Sequence, residues 1–226
     1  MKAPHNPPNL ALELLRIHRV ITRGLNVGTT KGTEFQLRGF PNPRLRRGYT
    51  DYTQSLAVAL RVHHLAEDEI GFPFLKEKFP HAPFERLSRD HQEMETLLEP
   101  LMKATTAVAG EGNKGDMNLL VDTLRSVSAI WTPHIRLEED SFTEDAVAAT
   151  VDSADQVRLS VEFGKHSQAH AKPPSLMLPF ILFNLNAEDR AVMAAPLPSV
   201  VRKVLIPFVW KNKWGAMKPF LLDEWL

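Results

Sequence analysis

Four segments of the chain have the spacing of amphipathic helices, and each carries a histidine on its apolar stripe. They run roughly over residues 9–24, 51–72, 83–108 and 116–149, and the histidines are His18, His63, His91 and His134. A single histidine in such a position is usually a hydrogen-bonded core residue. Four of them on four stripes predict helices that pack around a shared polar centre.

Two of these histidines are followed by a glutamate four residues later, as His63–Glu67 and His134–Glu138. Side chains at this spacing lie on the same helix face, with their Cβ atoms about 5–6 Å apart. A buried carboxylate is costly unless it is paired or bound to a metal. Two glutamates and four histidines on inward faces therefore indicate a site for two cations.

The composition limits what such a site can be. The chain has 226 residues and no cysteine, which excludes iron–sulfur clusters and thiolate zinc sites. Imidazole and carboxylate ligands suit iron, manganese or zinc. The His-Glu-x-x-His motif of zinc hydrolases and the Glu-x-x-His order of ferritin-like bundles are both absent. The formal net charge of zero gives no reason to expect nucleic acid as a partner.

The segments HHLAEDEIGFP at 63–73 and HIRLEED at 134–140 resemble the two signature segments of hemerythrin-like, HHE cation-binding proteins. The resemblance implies an all-α fold, an up-down four-helix bundle over residues 9–150, with a helical C-terminal extension over 151–226 packed on it. It also implies two iron ions, a non-haem di-iron centre bridged by the glutamates; manganese or zinc suits the same groups. The implied ligands are His18, His63, Glu67, His91, His134 and Glu138.

The chain departs from the oxygen-carrying members of that family at two positions. Those proteins have a further histidine where this chain has Glu95, and an aspartate where it has Glu139. The pattern therefore resembles hemerythrin-like sensors and redox proteins. We expect binding or activation of dioxygen, or of a related small oxidant. The alternative is a module that senses or stores oxygen, nitric oxide or iron without catalysis.

Two further functions stay open from the sequence. As a di-iron oxidase or oxygenase, the protein would use the C-terminal extension to build a pocket for a small-molecule substrate. As a structural or regulatory bundle, it would use the extension to dock a partner. The sequence does not predict an oligomeric state.

The second helical segment contains an alternative pair of candidate ligands at the same spacing. His64 and Asp68 repeat the spacing of His63 and Glu67, but the stripe through Leu56 and Leu60 favours His63. We therefore expect His64 to lie beside the ligands or to face outward, so that replacing it lowers metal content much less than replacing His63. The acidic residues next to the ligands are expected on a solvated face: Asp68, Glu69, Glu139 and Asp140.

Three more residues are candidate ligands. Glu95, four residues after His91, is either a seventh ligand or a polar group beside the cavity. His166 and His170 form a two-histidine face on a fifth helix, predicted over residues 153–171. This pair could complete the centre, bind a separate metal, or be a surface pair.

The remaining predictions concern the connections and the ends. Glycines and prolines predict a long loop over residues 24–50, with a solvated basic stretch at 31–47, and Gly71 with Pro73 should end the second helix. The C-terminal segment is basic and aromatic; packing on the bundle or on a second subunit is expected, with a membrane surface as the alternative. An N-terminus without an apolar signal region predicts a cytoplasmic location.

Overall fold

The computed structural model describes residues 9–110 and 113–222, and within those ranges it is helical without any strand. The α-helices are α1 Leu10–Arg38, α2 Pro43–Ala66, α3 Phe72–Lys78, α4 Phe84–Ala109, α5 Lys114–Ser141, α6 Glu144–Thr150, α7 Ser153–His170, α8 Pro174–Phe183, α9 Ala187–Ala194 and α10 Lys211–Trp214. Glu67–Gly71 and Val201–Val209 are π-helical, and Lys218–Phe220 is a 3₁₀ turn. No helix in the described part of the chain combines the length and apolar character needed to cross a membrane.

The four long helices form the helical bundle. Helix α1 packs on α2 and α5, and α4 packs on the same two helices. Asn9 caps the N-terminus of α1, since its side chain accepts hydrogen bonds from the backbone N–H groups of Ala11 and Leu12. The fifth predicted helix is confirmed as α7. The fourth is shorter than predicted, because Thr143 caps a separate helix, α6, after the turn at Phe142.

The long loop predicted over residues 24–50 is wrong. Helix α1 continues to Arg38, and α2 begins at Pro43. Gly24, Gly28 and Gly32 lie on one buried face of α1, where neighbouring helices approach closely. A Cβ at Gly24 would lie 2.6 Å from Leu56 Cδ1 of α2, and one at Gly28 would lie 3.3 Å from Leu124 Cδ1 of α5. These glycines allow close helix packing and do not break the helix.

The predicted end of the second helix at Gly71 and Pro73 is also wrong. The chain remains helical through a π-turn, in which the Phe72 N–H donates to the Glu67 carbonyl, five residues back. Helix α3 then begins at Phe72, and Pro73 lies in its first turn, directly after the π-turn. A π-turn inside a longer helix often marks a functional site.

The C-terminal segment shares the core of the bundle. Residues on both sides of position 150 belong to one cluster of buried apolar side chains, including Leu56 and Leu124 before it and Phe180, Met217 and Phe220 after it. The segment also leaves several large apolar side chains exposed to solvent, among them Phe208, which is 74% exposed, and its neighbour Val209.

A buried polar network joins this segment to α1 and α2. Arg23 donates to the Tyr52 hydroxyl at 3.2 Å, to the Phe220 carbonyl at 2.8 Å and to the Asn184 side-chain oxygen. Tyr52 donates to the same Asn184 oxygen at 2.8 Å, and the Asn184 amide donates to the Phe180 carbonyl at 2.7 Å. Asn184 is therefore the shared acceptor of the buried Tyr52 hydroxyl and the half-buried Arg23 guanidinium.

Replacing Asn184 with leucine should lower the free energy of unfolding by about 1–3 kcal/mol, because the buried Tyr52 hydroxyl loses its acceptor and Arg23 loses one of its acceptors. Urea unfolding measures this change. The matched control is Asn212→Leu at an exposed position, which should change stability by less than about 0.5 kcal/mol. Equal losses in the two variants would contradict the assigned role of Asn184.

Candidate metal centre

Seven histidine and glutamate side chains, all of types that can bind a metal, meet inside the bundle. His18 comes from α1, His63 and His64 from α2, Glu67 from the π-turn, His91 from α4, and His134 and Glu138 from α5. All are buried, with exposures between 0% for His134 and 7% for His63. They form two groups in which one ligand atom of each residue lies within 4.8 Å of the others: His64, His91 and His134; and His18, His63, Glu67 and Glu138.

The two glutamates connect the two groups. Glu67 Oε1 lies 3.3 Å from His63 Nε2, and its Oε2 lies 3.3 Å from His91 Nε2. Glu138 Oε2 lies 3.3 Å from His18 Nε2 and 3.7 Å from His134 Nε2. Each carboxylate therefore faces one histidine of each group. Metal–ligand bonds of about 2.0–2.2 Å place adjacent ligand atoms about 3 Å apart, so these separations suit shared cations.

Many polar atoms at this centre lack hydrogen bonds. Within residues 9–110 and 113–222, buried atoms without a hydrogen-bond partner include His18 Nε2, His63 Nε2, both ring nitrogens of His64, both carboxylate oxygens of Glu67, and Glu138 Oε2. Buried polar groups are normally satisfied, because leaving one unpaired costs about 1–3 kcal/mol. The unpaired atoms are all ligand types for a borderline cation, so the site fits a bound metal.

Three side chains of the cluster, those of His18, His91 and Glu67, have raised pKa values. Burial lowers the pKa of His18, but the carboxylates of Glu138 and Glu139 outweigh burial and raise that pKa to about 9. Burial also lowers the pKa of His91, but the carboxylates of Asp68 and Glu67 outweigh burial and raise that pKa to about 10. Burial raises the pKa of Glu67 to about 8, with repulsion from Glu138 adding to it.

The other histidines favour the neutral form. Burial lowers the pKa of His63 and of His64 well below the usual range, and the surrounding histidines lower both further. Burial also lowers the pKa of His134 to about 4. Neutral imidazoles are the form that binds a metal, so these three rings are ready to coordinate.

Glu69 and Asp140 are exposed, as predicted, whereas Asp68 and Glu139 also contact the outer ring nitrogens of two histidines in the cluster. His18 Nδ1 lies 2.8 Å from Glu139 Oε1, and His91 Nδ1 lies 3.0 Å from Asp68 Oδ2. Both carboxylates are only about one-third exposed. Such contacts fix the orientation of a ligating imidazole and raise its basicity. The sequence signal was present, because Asp68 and Glu139 each directly follow a predicted ligand.

The structure separates the remaining candidates. His64 is 4% exposed and stacks on His91 with a ring-centroid distance of 4.1 Å, so it lies within the cluster and does not face outward. Glu95 is exposed and forms an ion pair with Arg61 at 2.6 Å; Met94 takes the buried place on that turn of α4. His166 and His170 lie on α7, outside both groups of the cluster.

Aromatic rings line the centre, and a cleft leads towards it. Trp131 lies edge-on to His18 at 5.4 Å and to His63 at 5.7 Å, while Phe72 stacks on His91 at 5.4 Å.

A cleft of about 290 Å³ runs between α1 and α5 and reaches His18 and Glu139. Every residue that lines this cleft belongs to one of those two helices.

Comparison with known protein families gave one match. The model of the hemerythrin HHE cation binding domain matches residues 11–144, which is more than half of the chain. The match includes all seven clustered side chains. Comparisons with curated proteins and with solved structures gave no significant match.

Proposed function

The chain belongs to the hemerythrin HHE cation-binding family, and on that premise we propose that its cluster holds two iron ions and reacts with dioxygen or a related small oxidant. The helices α1, α2, α4 and α5 would form the up-down four-helix bundle of that family. The proposed ligands are the seven clustered residues, His18, His63, His64, Glu67, His91, His134 and Glu138. This set adds His64 to the six that the sequence predicts.

The position of the two glutamates carries the proposal. Glu67 and Glu138 each face one histidine of each group, as two bridging carboxylates would. With cations bound and both side chains deprotonated, they would bring two negative charges to a buried site that also holds five imidazoles. Iron bound there would supply the electrons for reduction of the oxidant.

The protein's own side chains would control access and protons. Asp68 and Glu139 would hold the rings of His91 and His18 in the orientation in which the inner nitrogens face the centre. Trp131 and Phe72 would exclude water from two sides. Glu139 is partly exposed and lines the cleft, so it supports a route by which a proton reaches His18 from solvent.

The cleft favours a small reactant. It is lined by α1 and α5 and not by the C-terminal extension, which an oxygenase would use to surround an organic substrate. Sensing or storage of oxygen, nitric oxide or iron without turnover uses the same centre and is the second candidate. The two candidates differ in whether the oxidant is consumed repeatedly.

The test is the metal content of the purified protein, with an optical spectrum before reduction, after reduction and after re-exposure to air. We expect about two irons per chain and near-ultraviolet bands that bleach and return. Consumption of many equivalents of dioxygen in the presence of a reductant would favour the enzyme over the sensor. An iron-free protein, or one tightly held zinc that a reductant does not affect, would overturn the proposal.

Metal binding should release about two to three protons per chain at pH 7. The raised pKa values of His18, His91 and Glu67 mean that these groups carry protons at neutral pH in the metal-free protein, and a bound cation must displace them. Apparent affinity should therefore rise with pH, by roughly tenfold per unit for each released proton, until pH passes about 9–10. Anaerobic calorimetry of Fe²⁺ binding in two buffers of different ionisation enthalpy measures the number. Binding without proton release would contradict the assigned charges.

A further inference from the structure

A patch of apolar side chains on the C-terminal segment faces solvent. Val200, Val204 and Phe208 follow one another at intervals of four residues along the π-helix Val201–Val209 and the residue before it, and they are 54%, 44% and 74% exposed. Val209, next to Phe208, is exposed as well. Four of the nine large apolar side chains that are exposed in the described part of the chain belong to this patch, so the exposure is concentrated here.

The opposite face of the same π-helix is fixed to the protein core. Ile206 is buried and belongs to the apolar cluster of the bundle. The indole nitrogen of the buried Trp214 donates a hydrogen bond to the Ile206 carbonyl at 2.8 Å. The helix is therefore amphipathic, and its inner face holds the apolar patch outward.

The apolar patch lies in a segment that carries only positive charge. Between residues 190 and 222 there are six basic side chains and no acidic one: Arg190, Arg202, Lys203, Lys211, Lys213 and Lys218. Lys203, Lys211 and Lys213 are exposed, and no carboxylate among the described residues forms an ion pair with them. Their charge is available to an anionic partner, although the net charge of the whole chain is zero.

A basic cleft follows the apolar patch along the chain. It has a volume of about 340 Å³, lies between the first turns of α2 and residues 211–216, and is lined by Arg44, Arg47 and Lys211. Arg47 is paired with Asp51 at 3.5 Å, whereas Arg44 and Lys211 are exposed and have no described carboxylate as a partner. Unpaired basic groups in a cleft are suited to a phosphate group.

We propose that the apolar patch and the basic side chains near it bind the surface of a membrane that contains anionic lipids. Phe208 and the valines of the patch enter the boundary between headgroups and acyl chains, and the lysines contact the lipid phosphates. Amphipathic helices with an apolar face and nearby lysines bind membranes in this way, lying on the surface without crossing it.

Charge favours a lipid surface over a second copy of this chain as the occupant. Two copies that met through their apolar patches would bring two sets of unpaired lysines together, and like charges at an interface are unfavourable. An anionic membrane instead offers negative charge next to an apolar layer, which matches both features of the surface. None of the residues of this surface belongs to the metal cluster.

The test is flotation of the purified chain with vesicles that mix phosphatidylserine and phosphatidylcholine, compared with vesicles of phosphatidylcholine alone. We expect binding to the mixed vesicles at low salt, weaker binding as salt is raised, and little binding to phosphatidylcholine alone. Phe208→Ser should weaken binding by about tenfold, because a large apolar side chain no longer enters the lipid. Lys211→Gln should weaken it by about fivefold through the loss of one charge. Neither change should alter metal content or Tm, since both side chains are exposed.

Val204→Ser and Val161→Ser form a matched pair, because the same change is made at two exposed helical valines, one in the apolar patch and one on α7. Val204→Ser should weaken vesicle binding by about threefold, and Val161→Ser should leave it unchanged. Equal vesicle affinity in the wild type and Phe208→Ser would overturn the proposal, as would failure to bind the mixed vesicles at low salt. A dimer that Phe208→Ser abolishes, in a protein that ignores vesicles, would overturn it in favour of a second copy on the patch.

Discussion

Replacing Glu138 with alanine should reduce the bound metal from two ions per chain to one or none. Glu138 is 1% exposed, and its Oε2 faces both His18 and His134, one histidine from each group. Removing it takes a negative charge away from both proposed cation positions. Elemental analysis of the purified variant measures the loss directly, and Glu138→Gln should show most of it, since the charge is lost while the size is kept.

The melting temperature of the protein should show the same loss of bound metal. A metal present at about a thousand times its Kd stabilises a protein by about 4 kcal/mol, which for a chain of this length corresponds to roughly 10 °C in Tm. We expect a chelator to lower the Tm of the wild type by about that amount and to lower the Tm of Glu138→Ala by clearly less, in proportion to the metal it retains. An equal chelator response in both proteins would contradict the role assigned to Glu138.

Two more variants complete this comparison. Asp140→Ala changes an exposed carboxylate in the same stretch of α5 and should keep the full metal content. His64→Ala should lower metal content about as much as His63→Ala does, because His64 lies within the cluster. From the sequence we expected a much smaller loss of metal in the His64 variant. Its metal content therefore tests whether His64 is a ligand, as the structure indicates, or lies beside the ligands, as the apolar stripe indicates.

Replacing Gly32 with alanine should lower the free energy of unfolding by about 2–4 kcal/mol. A Cβ at this position would lie 2.8 Å from Val121 Cγ2 on α5 and in still closer contact with the Tyr49 hydroxyl on α2. Tyr49 is fully buried and donates a hydrogen bond to the Gly28 carbonyl at 2.8 Å, so its displacement would also weaken that bond. Overpacking and a lost buried hydrogen bond outweigh the gain in helix propensity.

Gly164→Ala is the matched control, because the same chemical change should have the opposite sign. Gly164 is an exposed helical residue of α7, and a Cβ added there would meet no other described atom within 4 Å. Alanine there should stabilise the protein by about 0.5–1 kcal/mol through helix propensity. Urea unfolding of both variants is the measurement. Stabilisation by alanine at both positions would show that α1 does not pack as closely as the glycines suggest.

The helical stripes predicted much of the fold and part of the site. His18, His63, His91 and His134 all lie in the cluster, because a histidine on an apolar stripe reaches the same interior as the leucines around it. The apolar stripe of the second helix did not predict that His64 belongs to the cluster, because the cluster contacts a wider part of the α2 surface than the stripe covers. They placed Glu95 wrongly, since Glu95 pairs with Arg61 at the surface while Met94 takes the buried position on that turn of α4.

Glycine was the main source of error in the fold. From the sequence, Gly24, Gly28 and Gly32 favour a loop, because glycine lowers helix propensity. Their spacing of four residues is equally that of a smooth helix face, and only the presence of Leu56, Leu124 and Tyr49 opposite them decides between the two. Such contacts between distant segments cannot be derived from local propensity alone.

The π-turn at Glu67–Gly71 places one extra residue in the helical chain between His63 and Phe72. The turn contains one residue more than an α-helical turn, so everything after it is rotated by about 100° relative to an uninterrupted helix. His63 precedes this phase shift, whereas Phe72, which stacks on His91, follows it. A one-residue deletion that restored α-helical geometry would cancel this offset and leave Phe72 in nearly its present position relative to His63. The π-turn therefore accommodates one extra residue next to Glu67 without moving the aromatic ring that covers the site.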